Sequence, residues 1–153
     1  MIELNKKTQQ DFLNRGWVQR LLDVGVDMSD AKYLIVTIPK TGKDYIILST
    51  RLHEREDWLD KVTNTASTYT ASELLYKLHE CLDKFASICG SIDIMSYSSF
   101  ACSVDEDNCH EILFHIHSGR FQSYIEQLAS LLIQCHQKDI GIKSKDTGDI
   151  KDK

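Results

Sequence analysis

The side chains best suited to chemistry lie close together in the sequence, at Cys109, His110, His115 and His117. His115 and His117 are two residues apart, and alternate residues of a strand project from the same face of a sheet. Two imidazoles placed in this way can share a zinc ion, with Cys109 or His110 as a further ligand. A zinc site needs three or four converging ligands, however, and the sequence places two in register. We therefore predict no metal site and no cofactor.

Thiol chemistry is the other use for this cluster. The imidazole of His110 could lower the pKa of the adjacent Cys109 thiol, but the neighbouring carboxylates oppose a thiolate. Cys102 alternates with Phe100 and Val104, which predicts a place on the core side of its strand. The residues favour a protein without a catalytic site. The alternative is a small metal- or thiol-dependent enzyme that uses Cys109, His110, His115 and His117.

Three alternating segments must position this cluster, at residues 91–94, 100–104 and 112–116. Period-two alternation is typical of half-buried strands, and the short connections between the segments predict an antiparallel meander. In the third segment, alternation places the apolar residues toward the core and the two histidines toward solvent. The apolar residues are Ile112, Phe114 and Ile116, and the histidines are His115 and His117.

Apolar residues at helical spacing predict three helices. The first begins near Thr8 and ends near Gly25. The second begins with a capping box of Thr70 and Glu73 and ends at Gly90, and the third covers about residues 119–138 and ends at Gly141. We expect these helices to pack on the sheet through Leu74, Leu78, Leu82, Phe85, Tyr124, Leu128, Leu131 and Leu132.

Two further segments rich in β-branched and aromatic residues, 31–38 and 45–48, flank a Pro- and Gly-containing turn and predict a hairpin. We predict an optional short helix at residues 51–61 and a polar connector at residues 62–69. The order is therefore αββ(α)αβββα. It predicts an α+β fold in which about three helices cover an antiparallel sheet, built from the N-terminal hairpin and the C-terminal three-stranded meander.

Length and composition set the wider limits. The chain has 153 residues, 42% of them hydrophobic, and we predict a single α+β domain at 1–142 with a flexible polar tail at 143–153. A net charge of −5 without a basic cluster argues against a nucleic-acid partner. No apolar run is long enough to span a membrane, and five cysteines without CxxC spacing indicate reduced thiols. We expect a cytoplasmic protein that binds no membrane.

Three short phrases carry a resemblance. They are Leu-Leu-Asp-Val-Gly-Val-Asp at 21–27, Tyr-Thr-Ala-Ser-Glu-Leu-Leu-Tyr-Lys-Leu at 69–78 and Leu-Leu-Ile at 131–133. They resemble the opening, middle and closing phrases of small uncharacterised bacterial proteins from prophages and other mobile elements. The resemblance implies an accessory protein and assigns it neither chemistry nor catalytic residues.

An accessory protein without an active site acts through contacts, so apolar residues outside the core matter. Phe12, Tyr76 and Ile133 lie off the apolar stripes of their helices. If the first helix starts late, Phe12 folds back onto the core. Otherwise the three are apolar parts of an interaction surface. We predict that at least one of them contacts an unknown protein partner or mediates a homodimer.

Overall fold

The computed structural model describes residues 2–52, 63–85, 89–94, 98–117 and 123–151, and within these ranges it contains seven strands and three α-helices. The strands form two antiparallel sheets with helices packed on them, so the predicted α+β fold and element order are confirmed. No helix in these ranges combines the length and apolar character needed to cross a bilayer. The strands are β1 (Ile2–Glu3), β2 (Tyr33–Ile38), β3 (Lys43–Leu48), β4 (Thr63–Thr68), β5 (Cys89–Ile94), β6 (Ser98–Val104) and β7 (His110–His117), and the helices are α1 (Arg15–Asp23), α2 (Ala71–Leu82) and α3 (Tyr124–Lys151).

The chain divides into two compact units, Met1–Glu73 and Leu74–Lys153. The N-terminal unit holds a four-stranded sheet in the order β1-β3-β2-β4, and the C-terminal unit holds a three-stranded sheet in the order β5-β6-β7. The predicted hairpin is β2 and β3, and the predicted meander is β5 to β7. The single domain at 1–142 stays a prediction, as does the flexible tail. Helix α3 continues through residues 143–151 of that tail.

Strand β4 corrects the polar connector predicted at 62–69. It pairs with β2, with Tyr33 opposite Thr68, and lies at an edge of the four-stranded sheet. Three of its six residues are threonine, whose branched side chain suits a strand even where the strand is solvated. Composition alone concealed the strand because its exposed half is polar. Residues 51 and 52 of the optional helix predicted at 51–61 belong to a 3-10 helix at Ser49–Leu52, and the rest of that segment lies outside the described ranges.

Helix α1 starts at Arg15 and not near Thr8. Asn14 caps it, since its side chain accepts a hydrogen bond from the Trp17 amide at 3.1 Å. The predicted end is confirmed, because Gly25 follows the helix with a φ of 87°. The late start leaves Phe12 outside the helix, where it is 9% exposed and packs edge-on against the Tyr33 ring at 5.1 Å between centroids. Phe12 therefore folds back onto the core.

An ion pair ties the start of α1 to the N-terminal sheet. The Arg15 Nε donates to Asp44 Oδ2 at 2.9 Å, and the Thr37 hydroxyl donates to Asp44 Oδ1 at 2.6 Å. The Arg15 guanidinium, with the Thr37 hydrogen bond, holds the pKa of Asp44 below its ordinary value despite partial burial. The pair is half-buried, so the charge on Asp44 contributes to stability.

The predicted capping box of α2 is confirmed. The Glu73 amide donates to Thr70 Oγ1 at 3.3 Å, and the Thr70 amide donates to Glu73 Oε1 at 3.0 Å. The predicted end at Gly90 is wrong, because α2 ends at Leu82 and Gly90 lies in β5. A Cβ on Gly90 would lie 2.9 Å from the Leu82 Cβ. This glycine serves close packing of helix on strand and does not terminate the helix.

Helix α3 begins after Ser123, whose Oγ accepts from the Glu126 amide at 3.3 Å. The predicted end at Gly141 is wrong, because the helix continues to Lys151. Phe85 contacts the Phe114 ring edge-on at 6.2 Å between centroids, whereas Tyr124 is exposed. The remaining helix residues predicted to pack in the core are buried: Leu74, Leu78, Leu82, Leu128, Leu131 and Leu132.

Candidate functional site

A β-bulge in β7 determines which side chains share each face of the C-terminal sheet. Ile112 pairs with Cys102 and Phe114 pairs with Ala101, so Leu113 has no partner on β6. Ala101 and Cys102 are neighbours on β6 and point to opposite faces. Ile112 and Phe114 therefore also point to opposite faces, although they are two residues apart. A regular strand would place them on the same face.

One face of this sheet, which we call the helix face, packs against α2 and α3. Phe114 contacts Phe85 on this face, and the buried Ser99 hydroxyl donates to Gln127 Oε1 of α3. Gly90, opposite Ser103, lies against Leu82. The β6 residues of the helix face are small, which lets the helices approach closely. They are Ser99, Ala101 and Ser103.

The opposite face, which we call the open face, carries the larger residues of β6. Phe100 is half-buried there, Cys102 and Val104 are buried, and Ile112 is 57% exposed. An exposed isoleucine on the edge strand β7, opposite the buried Cys102, indicates apolar surface that the unit does not use for its own core. An open cleft of about 450 Å³ lies on this side of the sheet, lined by Asp93, Ile94, Phe100, Cys102, His110 and Ile112.

This arrangement corrects the predicted strand faces. Ile112 was expected on the core side with Phe114, and it lies instead on the open face. Cys102 was expected on a different face from His115, but Phe100 pairs directly with His115, so Cys102 and His115 share the open face. The bulge at Leu113 is the physical reason, because it reverses the alternation within β7. The side chains of Ile116 and His117 lie outside the described residues.

The candidate chemical groups have separate environments. The His115 ring stacks on Phe100 with 4.4 Å between centroids and 2° between planes, and its Nε2 is buried. Burial, and next the Asp93 carboxylate, raise the pKa of the Cys102 thiol. Cys109 and His110 are exposed at the β6–β7 turn. Among the described residues, no three His, Cys, Asp or Glu side chains converge as metal ligands would.

The three residues predicted to contact a partner lie apart in the chain and differ in exposure. Phe12 is 9% exposed and Ile133 is 7% exposed, so both lie in cores. Tyr76 is 66% exposed on α2. The partner contact itself stays a prediction, and Tyr76 is the member of the three that offers accessible surface. Sequence reasoning missed Ile112 because its spacing from Phe114 conceals the bulge.

One sequence signal concerns the strands that form this sheet. Residues 89–117 contain five carboxylates, and they contain neither Lys nor Arg. The other 18 acidic residues equal the 18 Lys and Arg in number, so the net charge of −5 lies within the β5–β7 segment. The five acidic side chains are all exposed: Asp93, Asp105, Glu106, Asp107 and Glu111. Asp93 pairs with Phe100 of the open face, whereas Glu111 pairs with Ser103 of the helix face.

Comparisons with protein-family models, with curated proteins and with solved structures found no match.

Proposed function

We propose that this chain is an accessory protein that acts by binding another protein, without catalysis of its own, and that it binds through the open face. The observation that carries this proposal is Ile112, which is 57% exposed beside Phe100 and Cys102 in a cleft of about 450 Å³. An exposed apolar side chain on a sheet face, here on the edge strand β7, with polar groups around it, is typical of a protein-binding anchor.

The environments of the thiols and imidazoles support binding over catalysis. Cys102 is buried with a raised pKa, which disfavours the nucleophilic thiolate. His115 packs flat on Phe100, so its ring contributes to the surface of the face. Cys109 and His110 are exposed at the β6–β7 turn, whereas Cys102 and His115 lie in the middle of their strands. The enzyme alternative would need these groups to act on one substrate.

The proposal is tested by placing a photo-crosslinking amino acid at position 112 in the full chain and irradiating cells that express it. Leu22, which is 46% exposed on α1, is the matched control position. We expect an adduct at position 112 that is absent at position 22, and its mass spectrum identifies the partner. Binding of that purified partner to the full chain should then fall at least tenfold on Ile112→Ser and remain unchanged on Leu22→Ser.

Two results would overturn the proposal. The first is equal labelling from positions 112 and 22, which would mean that the open face has no preferred partner. The second is unchanged affinity on Ile112→Ser together with loss of binding on Tyr76→Ser, which would move the contact surface to α2. Ile112→Ser and Tyr76→Ser replace exposed side chains, so we expect both variants to fold. Far-UV circular dichroism of each variant checks this.

We further propose a cytoplasmic setting, supported by five cysteines without CxxC spacing, and an origin in a prophage or another mobile element, supported by the three phrases at 21–27, 69–78 and 131–133. An accessory protein of this kind binds a protein made by its host or its own element. The genes beside this one test the proposal, and neighbours without integration, conjugation or phage functions would contradict it.

A further inference from the structure

We infer that the open face binds an extended, cationic segment of its partner, with an apolar residue between two basic ones. This inference rests on the proposed function, because it names the chemistry of the partner that the open face takes. The β5–β7 segment holds the whole net charge of the chain, because the acidic and basic residues elsewhere are equal in number. Surfaces that bind one another carry complementary charge, so an acidic face selects a basic partner.

Four of the five carboxylates lie in two places, Asp93 in the cleft and the run at residues 105–107 in the β6–β7 turn. Asp93 pairs with Phe100 and lines the cleft at one end, close enough for its charge to raise the pKa of the Cys102 thiol after the larger effect of burial. The β6–β7 turn lies at the other end, beyond the paired residues Val104 and His110. Ile112 lies between the two ends, opposite Cys102.

The acidic turn has a defined conformation. Asp105 Oδ1 accepts hydrogen bonds from the Asp107 amide at 3.0 Å and from the Cys109 amide at 2.9 Å. Asn108 has a φ of 62°, and its amide donates to the Asp105 carbonyl at 3.1 Å. These bonds hold the backbone of the turn in place while the Glu106 and Asp107 carboxylates remain exposed. The turn therefore loses less conformational freedom when a partner binds.

The spacing of the two ends sets the spacing of the partner's basic residues. From Phe100, the partner of Asp93, to Val104, the last residue before the acidic turn, the strand advances four residues, so the turn carboxylates lie about 13 Å or more from Asp93 along the strand. An extended peptide covers the same distance in four residues, and its alternate side chains point the same way. Lys or Arg at the first and fifth positions then meet the two acidic ends, and an apolar side chain at the third meets Ile112.

The same charges disfavour other occupants. A second copy docked through its own open face would bring two segments of charge −5 together, which costs free energy. Nucleic acid and anionic membrane surfaces are repelled in the same way. A helical segment would place residues four apart only about 6 Å from each other, short of the distance between the acidic ends. An extended cationic segment satisfies both the charge and the distance.

The test measures fluorescence polarisation of labelled synthetic peptides with the full chain. The probe is a short peptide containing Lys-Ser-Leu-Ser-Lys. Its controls are Glu-Ser-Leu-Ser-Glu, Lys-Ser-Ser-Ser-Lys, and a peptide of the probe's composition with the two lysines adjacent. We expect the probe to bind at least tenfold more tightly than each control and to lose affinity as salt rises. Ile112→Ser and Asp93→Asn should each weaken probe binding at least tenfold, and Leu22→Ser should leave it unchanged.

Equal binding of the probe and the glutamate peptide, or unchanged probe binding on both Ile112→Ser and Asp93→Asn, would overturn the inference. So would concentration-dependent self-association in sedimentation that Ile112→Ser abolishes, because it would assign the face to a second copy. Photo-crosslinking at position 112 keeps the two proposals distinguishable. A specific adduct without probe binding contradicts the cationic partner alone, whereas labelling no different from position 22 contradicts the proposed function.

Discussion

Replacing Gly90 by alanine tests the packing that orients the helix face. The added Cβ would lie 2.9 Å from the Leu82 Cβ and 3.2 Å from its Cδ1, whereas carbon atoms prefer about 3.5–4.0 Å. The Cβ of Leu82 is fixed to the α2 backbone, so helix and strand must separate by roughly 0.6–1 Å. Overpacking of this kind costs about 1–3 kcal/mol, and the reduced freedom of the unfolded chain offsets about 0.4–1 kcal/mol. We expect Gly90→Ala to lower the free energy of unfolding by about 1–2 kcal/mol.

Urea denaturation followed by circular dichroism measures this change as a lower midpoint with an unchanged slope. Gly16→Ala in α1 is the matched control, since its Cβ would meet nothing closer than the Asn14 Oδ1 at 3.5 Å. Alanine suits a helix better than glycine, so this control should hold or raise the midpoint, by up to about 1 kcal/mol. If Gly90→Ala raised the midpoint as much as Gly16→Ala, the close approach of Leu82 to β5 would be wrong.

Three further predictions concern the core, the ion pair and the thiols. Leu78 is fully buried, so Leu78→Ala should cost on the order of 2–5 kcal/mol in urea, and an unchanged midpoint would contradict its burial. The folded pKa of Asp44 is lowered, so its stabilising charge is complete above its unfolded pKa of about 4 and is lost as pH falls through the folded pKa. The stability gap between wild type and Asp44→Asn should therefore narrow below about pH 4, and a gap that widened there would refute the linkage. Cys109 is exposed, so Cys109→Ser should remove one fast-reacting thiol in a native Ellman titration, whereas Cys102→Ser should remove none.

The parts of the fold that depend on local chemistry could be predicted from the sequence. The Thr70 and Glu73 capping box and the Gly25 helix end are formed by side-chain and backbone groups a few residues apart, so their signals are complete in the sequence. The alternation of β5, β6 and β7 likewise reported strands correctly. The start of α1 was missed because Thr8 and Asn14 are both good caps, and tertiary packing of Phe12 selects the second.

The parts that depend on partners distant in sequence could not be predicted. A glycine that ends a helix and a glycine that lets a helix pack closely on a strand cannot be distinguished in a sequence. For Gly90, only the position of Leu82 shows that the second role applies. The bulge at Leu113 is visible only in the register against Ala101 and Cys102, so the sequence placed Ile112 on the same face as Phe114, and Cys102 on a different face from His115. Strand β4 was hidden because an edge strand needs little apolar surface of its own.

The bulge also gives β7 an unusual tolerance to change in length. Deleting one residue from a strand ordinarily turns every side chain on one side of the deletion to the other face. Leu113 is the exception, because Ile112 and Phe114 already pair with consecutive residues of β6. A chain without Leu113 would keep Ile112 on the open face and Phe114 on the helix face, joined by a regular ladder. A one-residue insertion or deletion elsewhere in β7 would exchange the side chains of the open face and the helix face. The number of residues in β7 therefore determines which side chains form the open face.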